Sequence, residues 1–187
     1  KNADVVHHLA GITSVPRTKS ESSREQDEKI KLVAEQGTQN ILNAISNECK
    51  LIFPSTHVVY EGIDDIKTDI KENEPTKPIL SYSLSKSINE DQLRKSGKNY
   101  IILRLGSVYG YSTDSMRIDI MPNLFSKIAS QNGTLKLFAA GGQIKSLVPL
   151  MDVARCFKFM EEKNEYSSEI FNLTKDTLTV KEVAEIC

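Results

Sequence analysis

Hydrophobic and polar positions follow two different periods along this chain, which predicts alternating strands and helices. Short apolar runs at residues 4–9, 51–55 and 100–105 have the length of buried strands. Between them, apolar residues recur at helical spacing over residues 30–46, and a second helix is predicted over residues 82–96. Because strands that alternate with helices favour a parallel sheet, the pattern predicts the α/β class.

Three other segments carry weaker local signals. Residues 14–29 are polar and highly charged, which predicts a solvated excursion or a mobile loop leading into the first helix. Asp152 is predicted to cap a helix that begins near Val153. Residues 179–187 look like a helix that should continue beyond the last residue.

Composition and charge narrow the classes of protein. The 187 residues are 39% hydrophobic and 26% charged with a net charge of −1, which is typical of a soluble globular protein. This balance gives no electrostatic reason to expect nucleic acid or a membrane as partner, and no apolar run approaches the roughly 18–20 residues of a membrane span. Cys49, Cys156 and Cys187 lack metal-site spacing, so they predict free thiols in a reducing cytoplasm and no metal site.

The candidate chemistry lies in Tyr82 and Lys86. They are four residues apart, so on a helix their side chains lie on one face, one turn apart. A positive charge beside a phenol favours the phenolate and should lower the pKa of Tyr82 from its usual value of about 10. Such a tyrosine can exchange a proton with a sugar or alcohol hydroxyl while a hydride moves on the neighbouring carbon. A hydroxyl from Ser55 or Thr56 can hold the same oxygen.

Six segments in a fixed order are far more specific than this pair alone. They read DVVHHLAG (4–11), GTQNIL (37–42), FPSTHVVY (53–60), SYSLSK (81–86), RLGSVYG (104–110) and VPLMDVA (148–154). Together they resemble the extended short-chain dehydrogenase/reductase family, the NAD-dependent epimerase/dehydratases of nucleotide sugars. The resemblance runs from about residue 3 to residue 187.

The resemblance implies the C-terminal part of a Rossmann-like, doubly wound parallel sheet, together with part of a small α/β substrate-binding domain. Residues 1–110 would belong to the NAD(P)-binding domain and residues 111–187 to a mixed substrate-binding region, with a segment near 147–162 returning to the first domain. The Gly-rich turn that holds a cofactor's pyrophosphate does not occur in this sequence. We therefore expect an internal fragment, incomplete at both ends, whose activity in isolation is open.

The family's roles can be carried over residue by residue. The resemblance implies that Thr56, Tyr82 and Lys86 are catalytic. It implies that the cofactor is NAD, with NADP as the alternative. The residues that would bind this cofactor are Leu9, Ala10, Gly11, Ser55, Tyr82, Lys86 and Ser107. It implies substrate contacts from Thr56, Ser107 and Lys145. His8 is interpreted as a packed, hydrogen-bonded core residue rather than a ligand.

Some positions depart from the family's pattern. Ala34 stands where many relatives have an asparagine near the cofactor, and Ser107 also replaces an asparagine. Lys145 stands where relatives often have an arginine, so it keeps the charge and loses the bidentate fork. His57 and Val58 replace the acidic pair of the sugar-nucleotide 4,6-dehydratases, which argues against dehydration.

The leading interpretation is an NAD(P)-dependent epimerase that acts on a nucleotide-activated sugar through a keto-sugar intermediate, with Tyr82 as acid and base. An NAD(P)H-dependent nucleotide-keto-sugar reductase is the first alternative, because STHVVYEG (55–62) has some likeness to such enzymes. A non-catalytic dinucleotide-binding protein is the second, and it is disfavoured because the Tyr82 and Lys86 pair is retained. A homodimer formed through two helices of each subunit also follows from the resemblance.

Overall fold

The computed structural model describes residues 3–13, 21, 23–114 and 116–187. The chain forms two compact units, one of Lys1–Arg104 with Phe159–Asn172 and one of Leu105–Lys158 with Leu173–Cys187. The functional division predicted at residue 110 stays a prediction. In chain order the helices and strands are β1 (Val5–His7), α1 (Arg24–Ala44), β2 (Lys50–Thr56), α2 (Ser81–Lys95), β3 (Asn99–Leu105), β4 (Ser107–Tyr109), α3 (Met121–Ser130), β5 (Ile144–Pro149), α4 (Leu150–Glu162), β6 (Glu169–Leu173), β7 (Asp176–Thr179) and α5 (Val180–Ile186).

The first unit is built on a four-stranded sheet in the order β1-β2-β3-β6. Strands β1 and β2 run parallel, with Val6 opposite Leu51. The interior strands are apolar on both faces, as the continuous hydrophobic runs predicted, because a sheet covered on both faces buries every side chain. The sheet and helices α1 and α2 share one core cluster, whose buried members are Leu42, Leu51, Phe53, Leu93 and Ile102.

Helix α1 begins earlier than its apolar spacing indicated. Ser23 caps it by accepting a hydrogen bond from the Gln26 N–H (3.3 Å), so helix begins at Arg24 rather than near residue 30. The prediction of a solvated excursion or loop is therefore wrong for residues 24–29. The first helical residues are largely exposed, and apolar periodicity detects only the part of a helix that packs on the core. Residues 14–20 and 22 of that predicted segment lie outside the described residues.

The second unit is built on a three-stranded sheet in the order β4-β5-β7. Strands β4 and β5 run parallel, and β5 and β7 run antiparallel. Phe125 of α3, Leu147 of β5 and Val183 of α5 form the buried centre of its core.

The predicted cap at Asp152 is wrong. Helix α4 begins at Leu150, so Asp152 lies in its first turn rather than before it. Its carboxylate pairs with Arg155 (3.0 Å) and Lys175 (3.7 Å). A carboxylate in the first turn still complements the helix dipole, which explains why the residue type suits a helix start.

Membrane crossing has no support in the described helices, since none combines the length and the apolar character that a bilayer requires. The longest of them, α1, carries charged side chains along much of its surface.

The core cluster makes a direct stability prediction. Truncating Ile102, which is completely buried in β3, to alanine should lower the free energy of unfolding by about 2–5 kcal/mol, because it removes apolar contacts and leaves a cavity. Ile66 is 82% exposed, so Ile66→Ala is the matched control and should change stability by less than about 0.5 kcal/mol. Urea unfolding of both variants measures the difference, and equal losses would contradict the described core.

Candidate functional site

The carboxyl ends of β1 and β2 lie side by side at one end of the first unit's sheet. Because the two strands are parallel and in register at His7 and Ile52, the residues that follow them emerge on the same side. Leu9, Ala10 and Gly11 follow β1 and are exposed, while β2 ends in Ser55 and Thr56. Open parallel sheets bind ligands beyond these ends.

Helix α2 brings Tyr82 and Lys86 to this end of the sheet. Tyr82 lies in the first turn, and Lys86 lies one turn further on. The Lys86 ammonium donates a hydrogen bond to the carbonyl of Pro54 in β2 (2.8 Å) and lies 5.9 Å from the centre of the Tyr82 ring. It also lies 4.5 Å from the centre of the Phe53 ring. The predicted helix and the spacing of the pair are confirmed, and their chemical roles stay predictions.

Burial changes the ionisation of Lys86. Loss of hydration lowers the pKa of the ammonium from 10.5 to about 8, and the nearby carboxylate of Glu90 opposes that shift by raising it. At neutral pH the side chain therefore remains mostly charged. A cation that stays charged next to a phenol ring is what stabilisation of a phenolate requires.

Ser55 contacts a buried carboxylate. Its hydroxyl donates to Oε1 of Glu90 (2.5 Å), and both residues are nearly inaccessible to solvent. Glu90 also accepts two hydrogen bonds from Arg104, from Nε to Oε1 (3.0 Å) and from Nη2 to Oε2 (2.7 Å). Such a bidentate pair holds both groups in one orientation. The buried Glu90 carboxylate thus fixes the orientation of the Ser55 hydroxyl. A contact between Ser55 and a cofactor stays a prediction.

Arg104 of this buried pair also contacts Tyr60. Nη1 of Arg104 donates to the Tyr60 hydroxyl and to the carbonyl of Glu72 (3.0 Å). Burial raises the pKa of the Tyr60 phenol, although the Arg104 charge opposes this, so the phenol remains protonated. Sequence reasoning did not single out Glu90 or Arg104. The available signal was the spacing, because Glu90 follows Lys86 by four residues and so shares its helix face.

Thr56 is the last residue of β2. Its side chain accepts a hydrogen bond from the Val58 N–H (3.3 Å) and so caps the short 3-10 helix His57–Tyr60. The residue is 7% exposed. Its hydroxyl proton is not used by this bond, because the oxygen acts there as an acceptor.

His8 is a packed, hydrogen-bonded core residue, which confirms that prediction. Nε2 lies 2.9 Å from the Thr38 hydroxyl of α1, and the ring stacks at an angle on Phe53. Burial and then the charge of Lys86 lower the pKa of the imidazole below its usual value of 6.5. The ring is therefore neutral at physiological pH.

Ser107 and Lys145 lie in the second unit, on neighbouring strands of its sheet. Leu147 is opposite Ser107 on β4 and opposite Asp176 on β7, while Lys145 is opposite Leu178. Directly opposed residues, and residues two apart on one strand, point to the same face of a sheet. Ser107 and Lys145 therefore share the face of Leu147, Asp176 and Leu178.

A cavity of about 1070 Å³ lies within the second unit, and it includes that face. Its wall contains Leu147, Asp176 and Leu178 together with Tyr109, which lies two residues after Ser107 on β4. Most of the remaining wall is apolar, and Lys127 adds a cation. Ser107 and Lys145 share that sheet face by strand register, but neither is among the residues that line the cavity.

The described residues contain no group of three or more His, Cys, Asp or Glu side chains that could hold a metal ion. The three cysteines are unpaired thiols, with Cys49 buried and Cys187 exposed.

Comparison with known proteins identifies a family. A sequence model described as the NAD dependent epimerase/dehydratase family matches residues 1–174. A curated protein of Methanocaldococcus jannaschii, named "Putative UDP-glucose 4-epimerase", is 28% identical over an alignment of 162 residues that covers 83% of this chain and 51% of that protein. The chain therefore spans about half the length of this relative.

Two solved structures show the same fold. The UDP-glucose 4-epimerase of Thermotoga maritima, solved with UDP-glucose, matches with a TM-score of 0.79 and 23% identity over 98% of this chain and 59% of that one. The UDP-glucose 4-epimerase of Thermus thermophilus, solved with NAD, matches with a TM-score of 0.76 and 23% identity over 97% of this chain and 60% of that one. The predicted α/β, Rossmann-like class is confirmed.

The lowered pKa of His8 makes stability depend on pH. Because the folded-state pKa lies below the unfolded value of 6.5, the contribution of neutral His8 is complete above pH 6.5 and is lost as the pH falls through the folded-state pKa. We expect the free energy of unfolding to fall as the pH is lowered from 7.5 to 5.5, and His8→Gln to reduce this slope. His7→Gln, at the adjacent position, is the control. An unchanged slope in His8→Gln would contradict a buried neutral imidazole.

Proposed function

The chain belongs to the NAD dependent epimerase/dehydratase family, and we propose that its protein is an NAD-dependent epimerase of a nucleotide-activated sugar. The observation that carries the proposal is the position of Tyr82 and Lys86 on one face of α2, with the Lys86 ammonium bound to the carbonyl of Pro54 near the end of β2. This arrangement provides a phenol, a cation and the hydroxyl of Thr56 at the carboxyl end of a parallel sheet.

The residues at the carboxyl ends of β1 and β2 fit the nicotinamide and ribose end of NAD. Leu9, Ala10 and Gly11 form an exposed turn, and a Cβ at Gly11 would meet no protein atom within 4 Å, so the backbone there is open to close approach. We propose that this turn, Ser55 and Lys86 contribute to the cofactor site, and the cofactor contact expected for Ser107 stays a prediction. When bound, NAD would accept a hydride from a sugar carbon and return it to the opposite face of that carbon. NADP is the alternative, since the residues that separate the two cofactors are not among those identified.

Proton transfer is assigned to Tyr82. Its phenolate takes the proton of a sugar hydroxyl as that carbon becomes a carbonyl, and the phenol returns the proton when the alcohol forms again. The Lys86 ammonium favours the phenolate, and the Thr56 hydroxyl donates a hydrogen bond to the substrate oxygen. The products differ from the substrate only in the configuration at the oxidised carbon, so proton and electron counts balance over one cycle.

The cavity of the second unit is proposed to receive part of the nucleotide sugar. Neither Lys145 nor Ser107 lines it, but both share the sheet face of the lining residues Leu147, Asp176 and Leu178. On that face Lys145 can neutralise a diphosphate, and Ser107 adds a hydroxyl. A lysine supplies a point charge rather than a bidentate fork, so we expect it to add affinity more than orientation. UDP-sugars are the first substrates to test, because relatives in this family are named for UDP-glucose.

A keto-sugar reductase is the second candidate, favoured by the likeness of residues 55–62 to such enzymes. The two activities differ in cofactor balance. An epimerase converts many substrate molecules for each NAD, whereas a reductase consumes one NAD(P)H for each product. Measuring NAD(P)H consumption against product formed in the full-length protein distinguishes them.

Tyr82→Phe tests the assigned chemistry. Removing the hydroxyl eliminates the proton acceptor, so kcat should fall by about 10²–10⁴-fold while NAD binding is retained. Tyr166→Phe, which changes an aromatic residue packed against Phe159 and Phe171, is the matched control and should keep its kcat. Full turnover in Tyr82→Phe would exclude the mechanism, and it would favour a protein that binds a dinucleotide without this chemistry.

A homodimer is proposed through α1 and α2. Leu32 and Val33 on α1 and Leu84 on α2 are 65%, 41% and 43% exposed, which is unusual for large apolar side chains on two packed helices. Light scattering should give twice the monomer mass for the full-length protein. Leu32→Asp with Leu84→Asp should shift the mass to the monomer, whereas Ile66→Asp should not. A monomer at all concentrations would refute the dimer.

A further inference from the structure

Helix α2 begins at a residue whose own side chain cannot cap it. Leu80 occupies the cap position and its side chain has no hydrogen-bonding group, and the acceptor from within the first turn is the Ser83 hydroxyl, which accepts from the Leu80 N–H (3.2 Å). Tyr82 lies in this first turn, where an uncapped helix opens most readily. Any disorder there would displace the phenol.

Glu61 supplies a second acceptor from another segment, for the N–H groups of the two residues just before the helix. Its Oε1 accepts from the N–H of Ile79 (2.8 Å) and the N–H of Leu80 (2.7 Å), and also from the hydroxyl of Ser83. Ser83 is fully buried, and its hydroxyl also lies within hydrogen-bond distance of the Leu80 carbonyl (2.9 Å). One carboxylate oxygen thus holds the residues on either side of the helix start.

The position of Glu61 in the chain connects this cap to Thr56. Glu61 ends the 3-10 helix that Thr56 begins, and its own N–H donates to the carbonyl of Val58 (3.1 Å). Two backbone bonds strengthen the connection. Gly62 N–H donates to the Lys77 carbonyl (2.9 Å), and Lys77 N–H donates to the Val59 carbonyl (2.8 Å).

Gly62 permits this close approach. A Cβ at that position would lie 2.5 Å from the Lys77 carbonyl oxygen, a separation that would force the two segments apart. The turn after β2 and the segment before α2 are therefore packed backbone to backbone, with Glu61 at the end of the contact.

We propose that Glu61 is a positioning residue for Tyr82, which fixes the first turn of α2 to the turn that follows Thr56. The inference rests on the proposed function, because it assigns Glu61 to the geometry of that reaction. Proton transfer to Tyr82 and hydrogen bonding from Thr56 must act on one substrate oxygen, so their separation has to be constant. A displacement of about 1 Å in such a pair can cost about 10²-fold in rate.

The test compares Glu61→Ala and Glu61→Gln in the full-length protein with UDP-glucose and NAD. Alanine removes the acceptor, so kcat should fall by about 10²-fold with KM changed by less than about threefold. Glutamine keeps a carbonyl oxygen at the same reach and should restore most of kcat. Ser23→Ala, which removes the cap of α1, is the matched control. It should lose stability without losing kcat.

Hydrogen exchange gives a readout that does not depend on turnover. In Glu61→Ala the amides of Ile79 and Leu80 should exchange about tenfold faster or more, and Glu61→Gln should restore their protection. Unchanged exchange at these amides, or an unchanged kcat in Glu61→Ala while Tyr82→Phe is inactive, would overturn the inference. Full turnover in Tyr82→Phe, or no turnover by the unmodified protein, would instead refute the proposed function, while the exchange measurement would still decide whether Glu61 secures the helix.

Discussion

The ion pair between Glu90 and Arg104 is the interaction on which the first unit's site depends. Both side chains are almost completely removed from water, at 0% and 2% exposed, and they meet through two hydrogen bonds. Taking two charges out of water is costly unless both are paired and hydrogen-bonded. Burial lowers the pKa of Arg104, but the bonds and charge of Glu90 outweigh it and raise the pKa, so the guanidinium stays charged. The pair can therefore exist only where α2 and β3 are held in one register.

That register determines the positions of the candidate catalytic groups. Glu90 binds the hydroxyl of Ser55 at the end of β2, and its charge supports the ammonium of Lys86 one turn earlier on α2. Lys86 in turn binds the carbonyl of Pro54 in β2. Helix α2 thus contacts β2 through two polar bonds, from Lys86 to Pro54 and from Ser55 to Glu90, although the core beneath them is apolar. Apolar contacts alone allow sliding, whereas these directed bonds specify one position for the face that presents Tyr82.

The sequence predicted the parts of this arrangement that follow from local periodicity. The strand over residues 51–55, the helix that carries Tyr82, and the packed role of His8 all follow from spacing and residue type, and the structure contains them. It did not predict the start of α1, because the first residues of that helix bury little surface. It also did not predict the roles of Glu61 and Glu90. Glu61 lies 18 and 19 residues from the N–H groups that it binds, and Glu90 lies 14 residues from Arg104. Contacts at such separations depend on the fold, and the spacing of Glu90 from Lys86 indicates only a shared helix face, not the partner.

The most direct test of this account is a double-mutant cycle on the buried pair, with Glu90→Gln, Arg104→Gln and the double variant compared by urea unfolding. Each single variant leaves a buried charge without its partner and should lower the free energy of unfolding by about 3–5 kcal/mol. The double variant removes both charges, so its loss should be smaller than the sum of the two, with a coupling of about 0.5–3 kcal/mol. A coupling near zero would contradict the central claim, because it would mean that the two side chains contribute to stability independently.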